Sequence, residues 1–143
     1  ACYDAWPVEF VNEMGMPTTA AMDLDEFEGR LDFAFGKGLY DDDPDPEWVE
    51  GMKEPWLREG GRTALARAAV ATNTNHTTEI DYDVIDSRTY CVWGADDRMV
   101  PMEWGERLAE DLGGEVIPLE EAYHWVVEDR PAGYREALAG ALA

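Results

Sequence analysis

Residues Thr89–Pro101, with the sequence TYCVWGADDRMVP, decide the fold of this chain of 143 residues. A run of β-branched and aromatic residues, 88–93, ends at Gly94, which predicts a buried strand. A carboxylate pair, Asp96 and Asp97, follows this strand directly. The chain therefore places acidic side chains where a buried strand ends.

The remaining C-terminal residues alternate between helix and strand patterns. Pro101 begins a predicted helix to Leu112, a second predicted strand covers Glu115–Leu119, and a final helix covers Pro131–Leu142. Strands and helices that alternate through short connections are typical of an α/β fold with a parallel sheet. Two parallel strands leave two open edges, so we expect them to pair with further strands.

The first 80 residues have a different character, because their apolar residues recur at helical spacing and form no strand pattern. We therefore divide the chain into a helical region, 1–80, and an α/β region, 81–143. The helical region is predicted to contain helices over residues 8–14, 23–35, 46–57 and 63–72.

The composition is strongly acidic, with 32 acidic and 11 basic residues and a net charge of -21. The acids are spread along the whole chain, as in proteins of salt-adapted, haloarchaeal organisms, whose charge repulsion is screened by salt. This charge argues against nucleic acid as a partner. No long apolar run or secretory signal occurs, so we expect no membrane span and a cytoplasmic location. The chain begins at Ala1 rather than Met, which indicates processing or truncation.

An acid and a histidine are predicted to meet at one edge of the sheet. Asp96 and Asp97 follow the first strand, and His124 follows the second. The carboxyl ends of parallel strands lie at the same edge, where functional groups of open α/β sheets collect. A carboxylate that binds the imidazole fixes its tautomer and leaves the other nitrogen as a general base. A surface Asp beside a packing His is the alternative interpretation.

These residues resemble the C-terminal part of the α/β-hydrolase fold family over Thr89–Leu142. The family's acid lies in a pattern like W-G-x-x-D-x-x-V-P, which matches Trp93–Pro101 with Asp97 as the acid. Its histidine lies in a pattern like G-H-W followed by Pro, which matches His124 with Tyr123 in place of Gly. The resemblance implies a parallel sheet, here two strands with flanking helices, preceded by a helical cap over residues 1–80. It also implies catalytic roles for Asp97 and His124.

The nucleophile of that family is missing from the sequence. Its G-x-S-x-G pattern does not occur, and Ser87 is the only serine. Ser87 precedes the first strand, about 20 Å from the acid end, and Cys91 lies within the strand. We therefore expect an N-terminal half that carries the nucleophile and the oxyanion hole, and we expect this chain to be inactive by itself. That half, or another copy of the chain, is the predicted partner.

Three functions remain open from the sequence. The first is a hydrolase of esters or related bonds, of the Ser-His-Asp type, acting on a small molecule without a cofactor. The second is a hydrolase of the same fold with an Asp nucleophile, as in dehalogenases and epoxide hydrolases. The third is a non-catalytic, acidic interaction domain. A His124 bound to Asp97 in a cleft favours an enzyme, and an exposed His124 without an acid partner favours a binding role.

Other residues are weaker candidates for a site. Trp125 and Trp6 are predicted to line an apolar substrate pocket. Asp4 could be an alternative acid or, as its position before Trp6-Pro7 favours, a turn residue. Asp41, Asp43 and Asp45 resemble the start of a calcium loop, but Met52 stands where that loop has Glu, so no metal site is predicted. His76 is interpreted as a loop residue.

Overall fold

The computed structural model describes residues 11–41, 43–71 and 79–143. The predictions for Asp4, Trp6 and His76 lie outside these residues. The described chain divides into two compact units, one formed by residues 11–37 and 43–71 and the other by residues 38–41 and 79–143. Within the described ranges no helix is long and apolar enough to cross a membrane.

The first unit is helical. Residues 11–14 are helical and are followed by α1 (Pro17–Ala21), α2 (Leu24–Lys37), α3 (Pro46–Leu57) and α4 (Gly61–Ala71). Helix α3 begins as predicted, because the carboxylate of Asp45 accepts a hydrogen bond of 2.9 Å from the backbone N–H of Glu47. Helix α1, a five-residue helix that begins with a proline, has no clear pattern in the sequence.

An apolar cluster forms the core of this unit. Met14, Phe27 and Leu31 are almost fully buried, and partly buried side chains from α3 and α4 pack against them, among them Trp56 and Leu65. Phe27 and Leu31 are four residues apart on α2 and therefore share one helix face. Their burial confirms the helical spacing that predicted this element.

A buried cation joins α2 to α3. The ammonium of Lys53 lies 3.0 Å from Glu28, 2.7 Å from Asp32 and 2.7 Å from Glu50, and its side chain is 4% exposed. Burial lowers the pKa of Lys53, but the hydrogen bonds to the three carboxylates outweigh it and hold the pKa above the ordinary value. Lys53 therefore stays charged and balances acids on both helices.

The second unit contains the alternating strands and helices that were predicted for the C-terminal residues. After a short 3₁₀ turn at Tyr82–Val84, the elements are β1 (Tyr90–Gly94), α5 (Met102–Asp111), β2 (Glu115–Leu119), α6 (Val126–Asp129) and α7 (Pro131–Ala141). The strands pair in parallel, with a register that runs from Tyr90 opposite Glu115 to Gly94 opposite Leu119. Strand β2 has the predicted bounds, whereas β1 begins two residues later than the predicted strand at Arg88.

The sheet has two strands within the described residues, so one edge of β1 is not paired with another strand there. The carbonyl of Thr89 and the N–H of Ala95 both bond to the β2 segment, at 3.1 and 2.9 Å. Backbone groups alternate between the two edges of a strand, so those of Tyr90 and Val92 face away from β2. This edge can accept another strand.

Candidate active site

Asp97 is held in a tight loop after β1. Its backbone N–H donates to the carbonyl of Gly94 at 3.2 Å, and its side chain is 4% exposed. One carboxylate oxygen, Oδ1, accepts hydrogen bonds from the backbone N–H groups of Met99 at 2.7 Å and Val100 at 3.0 Å. These two bonds fix the carboxylate and leave Oδ2 for another partner.

That partner is His124, whose Nδ1 lies 3.0 Å from Oδ2 of Asp97. His124 follows β2, and one third of its side chain is exposed, so the ring remains accessible from outside. A carboxylate at Nδ1 favours the tautomer in which Nδ1 carries the proton, which leaves Nε2 free to accept one. The pair can therefore act as an oriented base.

Asp96 has a different role from its neighbour. It is exposed, and its Oδ2 accepts a hydrogen bond of 3.1 Å from the backbone N–H of Glu121, which has a positive φ of 54°. Its own N–H donates to the carbonyl of Ala122 at 3.2 Å. Asp96 thus joins the loops that follow the two strands, whereas Asp97 contacts His124.

Gly94 allows those two loops to touch. A Cβ atom at this position would lie 2.2 Å from the carbonyl oxygen of Tyr123 and 2.5 Å from that of Ala122. No side chain fits at such distances, so only glycine permits this approach of backbone to backbone. The glycine that ends the strand pattern is also a requirement of the site.

The indole of Trp93 helps to hold the loop that contains Asp97. Its Nε1 donates a hydrogen bond of 3.0 Å to the carbonyl of Val100. Its ring packs on Gly105 of α5, where a Cβ atom would lie 2.7 Å from the indole. The strand, the loop and the following helix are therefore fixed around one side chain.

Trp125 lies beside the histidine. The two rings meet edge to face, with centroids 5.2 Å apart. The indole also packs on Gly38, where a Cβ atom would lie 2.2 Å from its Nε1. The role of Trp125 as a pocket wall stays a prediction.

Sequence reasoning did not find several residues that surround His124. The N–H of Trp125 donates to the carbonyl of Gly38 at 3.0 Å, and the carboxylate of Asp129 accepts bonds from Tyr40 and Tyr123. Gly38 follows a helix in the sequence, and Asp129 is one of many acids. No local pattern links residues so distant in the chain.

Neither Ser87 nor Cys91 lies at this end of the strand. Ser87 precedes β1, and its carbonyl accepts a hydrogen bond of 3.1 Å from the hydroxyl of Thr89. Cys91 is buried, and burial raises the pKa of its thiol.

No group of three or more His, Cys, Asp or Glu side chains is arranged to bind a metal ion within the described ranges. Of the acids compared with a calcium loop, Asp45 caps α3. Asp42, between the others, lies outside the described residues.

The chain resembles known proteins. Residues of this chain are 45% identical, over 96 positions, to a protein of Bacillus subtilis (strain 168) named "Uncharacterized hydrolase YugF". The structure resembles that of an alpha/beta hydrolase fold protein from Burkholderia ambifaria, with a TM-score of 0.79, 23% identity and 93% of this chain covered. No protein-family model matches the chain.

These likenesses confirm the fold predicted from Thr89–Leu142. The parallel strands, the loops that end them and the likeness to the Burkholderia protein define the C-terminal part of an α/β-hydrolase fold. The chain has the fold of this part of an α/β hydrolase. It spans about half of the Burkholderia protein (49%) and about a third of the Bacillus protein (35%).

Proposed function

We propose that this chain supplies the acid and the base of a Ser-His-Asp hydrolase that acts on an ester or a related bond. The observation that carries the proposal is the 3.0 Å contact between Oδ2 of Asp97 and Nδ1 of His124, at the carboxyl ends of two parallel strands. The hydrolase name of the Bacillus relative supports this class of reaction.

In the proposed reaction, His124 accepts a proton from the attacking hydroxyl through Nε2. It then returns the proton to the leaving group, so that an acyl-enzyme forms, and repeats the two steps with water. Asp97 keeps the ring in the required tautomer and stabilises the imidazolium that forms between the steps. Its Oδ1 is held by two backbone N–H groups, so the carboxylate does not turn away as charge develops.

The nucleophile and the oxyanion hole belong, in this proposal, to a part of the protein outside these 143 residues. The open edge of β1 is the place where that part, or another copy of the chain, would add a strand. The helical region is the proposed cap, and Trp125 is a proposed apolar wall for a small-molecule substrate.

The contact between Asp97 and His124 argues against a purely non-catalytic domain. A binding role predicts an exposed histidine without an acid partner, whereas this histidine meets a buried carboxylate. The same pair would serve a hydrolase with an Asp nucleophile, so the experiment must also identify the nucleophile.

The test compares this chain with a longer protein that continues it toward the N-terminus through a G-x-S-x-G or G-x-D-x-G pattern. Both are assayed with p-nitrophenyl acetate and butyrate, each as wild type, as His124→Ala and as His76→Ala. His76 is the matched control because it is the other histidine and any imidazole cleaves aryl esters slowly.

We expect this chain to lose no more turnover through His124→Ala than through His76→Ala. In the longer protein we expect His124→Ala to lower kcat by about 10³-fold or more and His76→Ala to have no effect. Labelling by a fluorophosphonate identifies a serine nucleophile. Turnover by this chain that depends on His124, or a longer protein unaffected by His124→Ala, would refute the proposal.

A further inference from the structure

The carboxylate of Asp129 bridges two backbone segments beside His124. Its Oδ2 accepts a hydrogen bond of 2.7 Å from the N–H of Tyr123, and its Oδ1 accepts one of 2.9 Å from the N–H of Tyr40. Asp129 also precedes α7, where an acid could serve the helix N-terminus. Its oxygens instead bond to residues far from that helix, so a capping role does not explain them.

The backbone on the other side of His124 is held by the same distant segment. The N–H of Trp125 donates to the carbonyl of Gly38 at 3.0 Å, and the indole leaves no room for a side chain on Gly38. Residues 38–41 therefore contact the backbone around His124 in two ways. Gly38 bonds directly to Trp125, and Tyr40 bonds to Asp129, which in turn bonds to Tyr123. Leu39, between these contacts, is buried and anchors the segment.

Aromatic contacts reinforce the bridge. The rings of Tyr40 and Tyr123 meet edge to face at 5.1 Å, and the guanidinium of Arg98 lies over the ring of Tyr123 at 4.9 Å. Tyr123 is thus held by its backbone and by its ring, and it is the residue directly before the histidine. Both peptide neighbours of His124 have fixed positions, while Asp97 contacts only the ring.

We propose that Asp129 is a positioning residue for His124, which keeps the imidazole at Asp97 by tying the backbone of Tyr123 to residues 38–41. The inference rests on the proposed function only in that it assigns His124 as the base. A displacement of about 1 Å at a catalytic group can lower a rate by about 100-fold, so such a tie matters to a base. Asp129 contacts no reacting atom in this proposal.

The variant that tests this is Asp129→Asn, with Glu128→Gln as the control that also removes one negative charge from α6. An asparagine has one acceptor oxygen, so it satisfies one of the two N–H groups and turns an NH₂ toward the other. Histidine ¹⁵N and ¹H NMR of this chain reports the tautomer of His124 and the Nδ1–H proton that bonds to Asp97. We expect Asp129→Asn to shift or broaden this proton resonance and to leave the signals of His76 unchanged.

In the longer protein we expect Asp129→Asn to lower kcat by about 10- to 100-fold, with KM changed less than about twofold. Asp129→Glu keeps the charge but moves it by one methylene, so it should cause a smaller fall in kcat. It replaces Asp129→Asn as the test variant if Asp129→Asn does not fold. Glu128→Gln should behave as wild type in both assays.

Two outcomes separate this proposal from the proposed function. If Asp129→Asn and Asp129→Glu lower the melting temperature but keep the Nδ1–H resonance and kcat, the positioning role is overturned. If the longer protein shows no hydrolysis while Asp129→Asn still displaces the His124 signals, the positioning role is supported and the proposed function fails.

Discussion

The imidazole of His124 and the carboxylate of Asp97 meet at 3.0 Å although they are 27 positions apart in the chain. The parallel pairing of β1 with β2 brings them together, because it places the ends of both strands at one edge of the sheet. Asp97 is buried and His124 is partly exposed. The carboxylate is thus sheltered from water while the imidazole remains accessible.

Asp97→Asn should uncouple this pair without unfolding the chain. The amide oxygen can still accept from the N–H groups of Met99 and Val100, but its NH₂ then faces Nδ1 of His124 and favours the opposite tautomer. We expect a fall in kcat of about 10³- to 10⁴-fold in a longer protein that carries a nucleophile. NMR of this chain should show the proton on Nε2. If Asp97→Asn kept the wild-type kcat, Asp97 would have no role in the reaction.

Gly94→Ala should destabilise the α/β unit by at least about 2–3 kcal/mol. The added Cβ would overlap the carbonyl oxygen of Tyr123, and neither loop can withdraw without breaking bonds at the strand ends. Gly29→Ala is the matched control, because a Cβ there meets no atom within 4 Å and lies in helix α2. It should stabilise by about 0.5–1 kcal/mol. Urea unfolding of both variants measures the difference, and equal effects would contradict the account of Gly94.

The fold could be predicted largely from local patterns. Pro46 after an Asp predicts the start of α3, and the apolar run before Gly94 predicts β1, because both signals lie in a few adjacent residues. The short helix Pro17–Ala21 could not be predicted, because five residues are too few to show a helical repeat of apolar residues.

Only the part of the site that directly follows the two strands could be predicted, because strong local patterns occur there. The meeting of Asp97 with His124 follows from the carboxyl ends of parallel strands, and the structure shows this contact. The hydrogen bond from Tyr40 to Asp129 could not be predicted, since it depends on one backbone N–H group 89 positions away, which has no residue signature.

Lys53→Met should lower the free energy of unfolding by about 2–3 kcal/mol, because three carboxylates then face each other without a cation. The control is Lys37→Met, because Lys37 is the only other lysine and is exposed at the end of α2. This substitution should change the free energy of unfolding by less than about 0.5 kcal/mol. Thermal unfolding at low and high KCl tests the cause. A deficit that does not shrink in salt would show that repulsion is not responsible.

The charge of Lys53 also predicts a pH dependence. Its pKa in the folded protein lies above the ordinary value, so its contribution to stability is complete below pH of about 10.4. The contribution is lost only as the pH rises through the raised pKa. The difference in unfolding free energy between wild type and Lys53→Met should therefore be constant from pH 7 to pH 9. A difference that declines within this range would contradict the assignment.

The overall charge of -21 predicts that salt stabilises the fold. Acids outnumber bases along the whole chain, and added salt screens their mutual repulsion. We expect the melting temperature to rise by at least about 4 °C, the shift that about 1 kcal/mol produces in a chain of this size, between 0.1 M and 2 M KCl. An unchanged or lower melting temperature would argue against a salt-adapted surface.

The thiol of Cys91 should be unreactive in the folded chain, because it is buried and its pKa is raised by burial. In a Cys2→Ser variant, where Cys91 is the remaining thiol, iodoacetamide at pH 8 should label it far more slowly in buffer than in 6 M guanidinium chloride. Equal rates in both solvents would show that β1 is open to solvent.

The bridge at Asp129 also has a consequence for the order in which the chain folds. Its bond to Tyr40 closes a loop of 89 positions, whereas β1 and β2 pair across a single intervening helix. Because the entropy cost of closure grows with loop length, the two-stranded sheet can form before the bridge does. Interactions that form after the transition state slow unfolding and hardly affect folding. His124 would therefore reach its final position late, when residues from both ends of this loop have met.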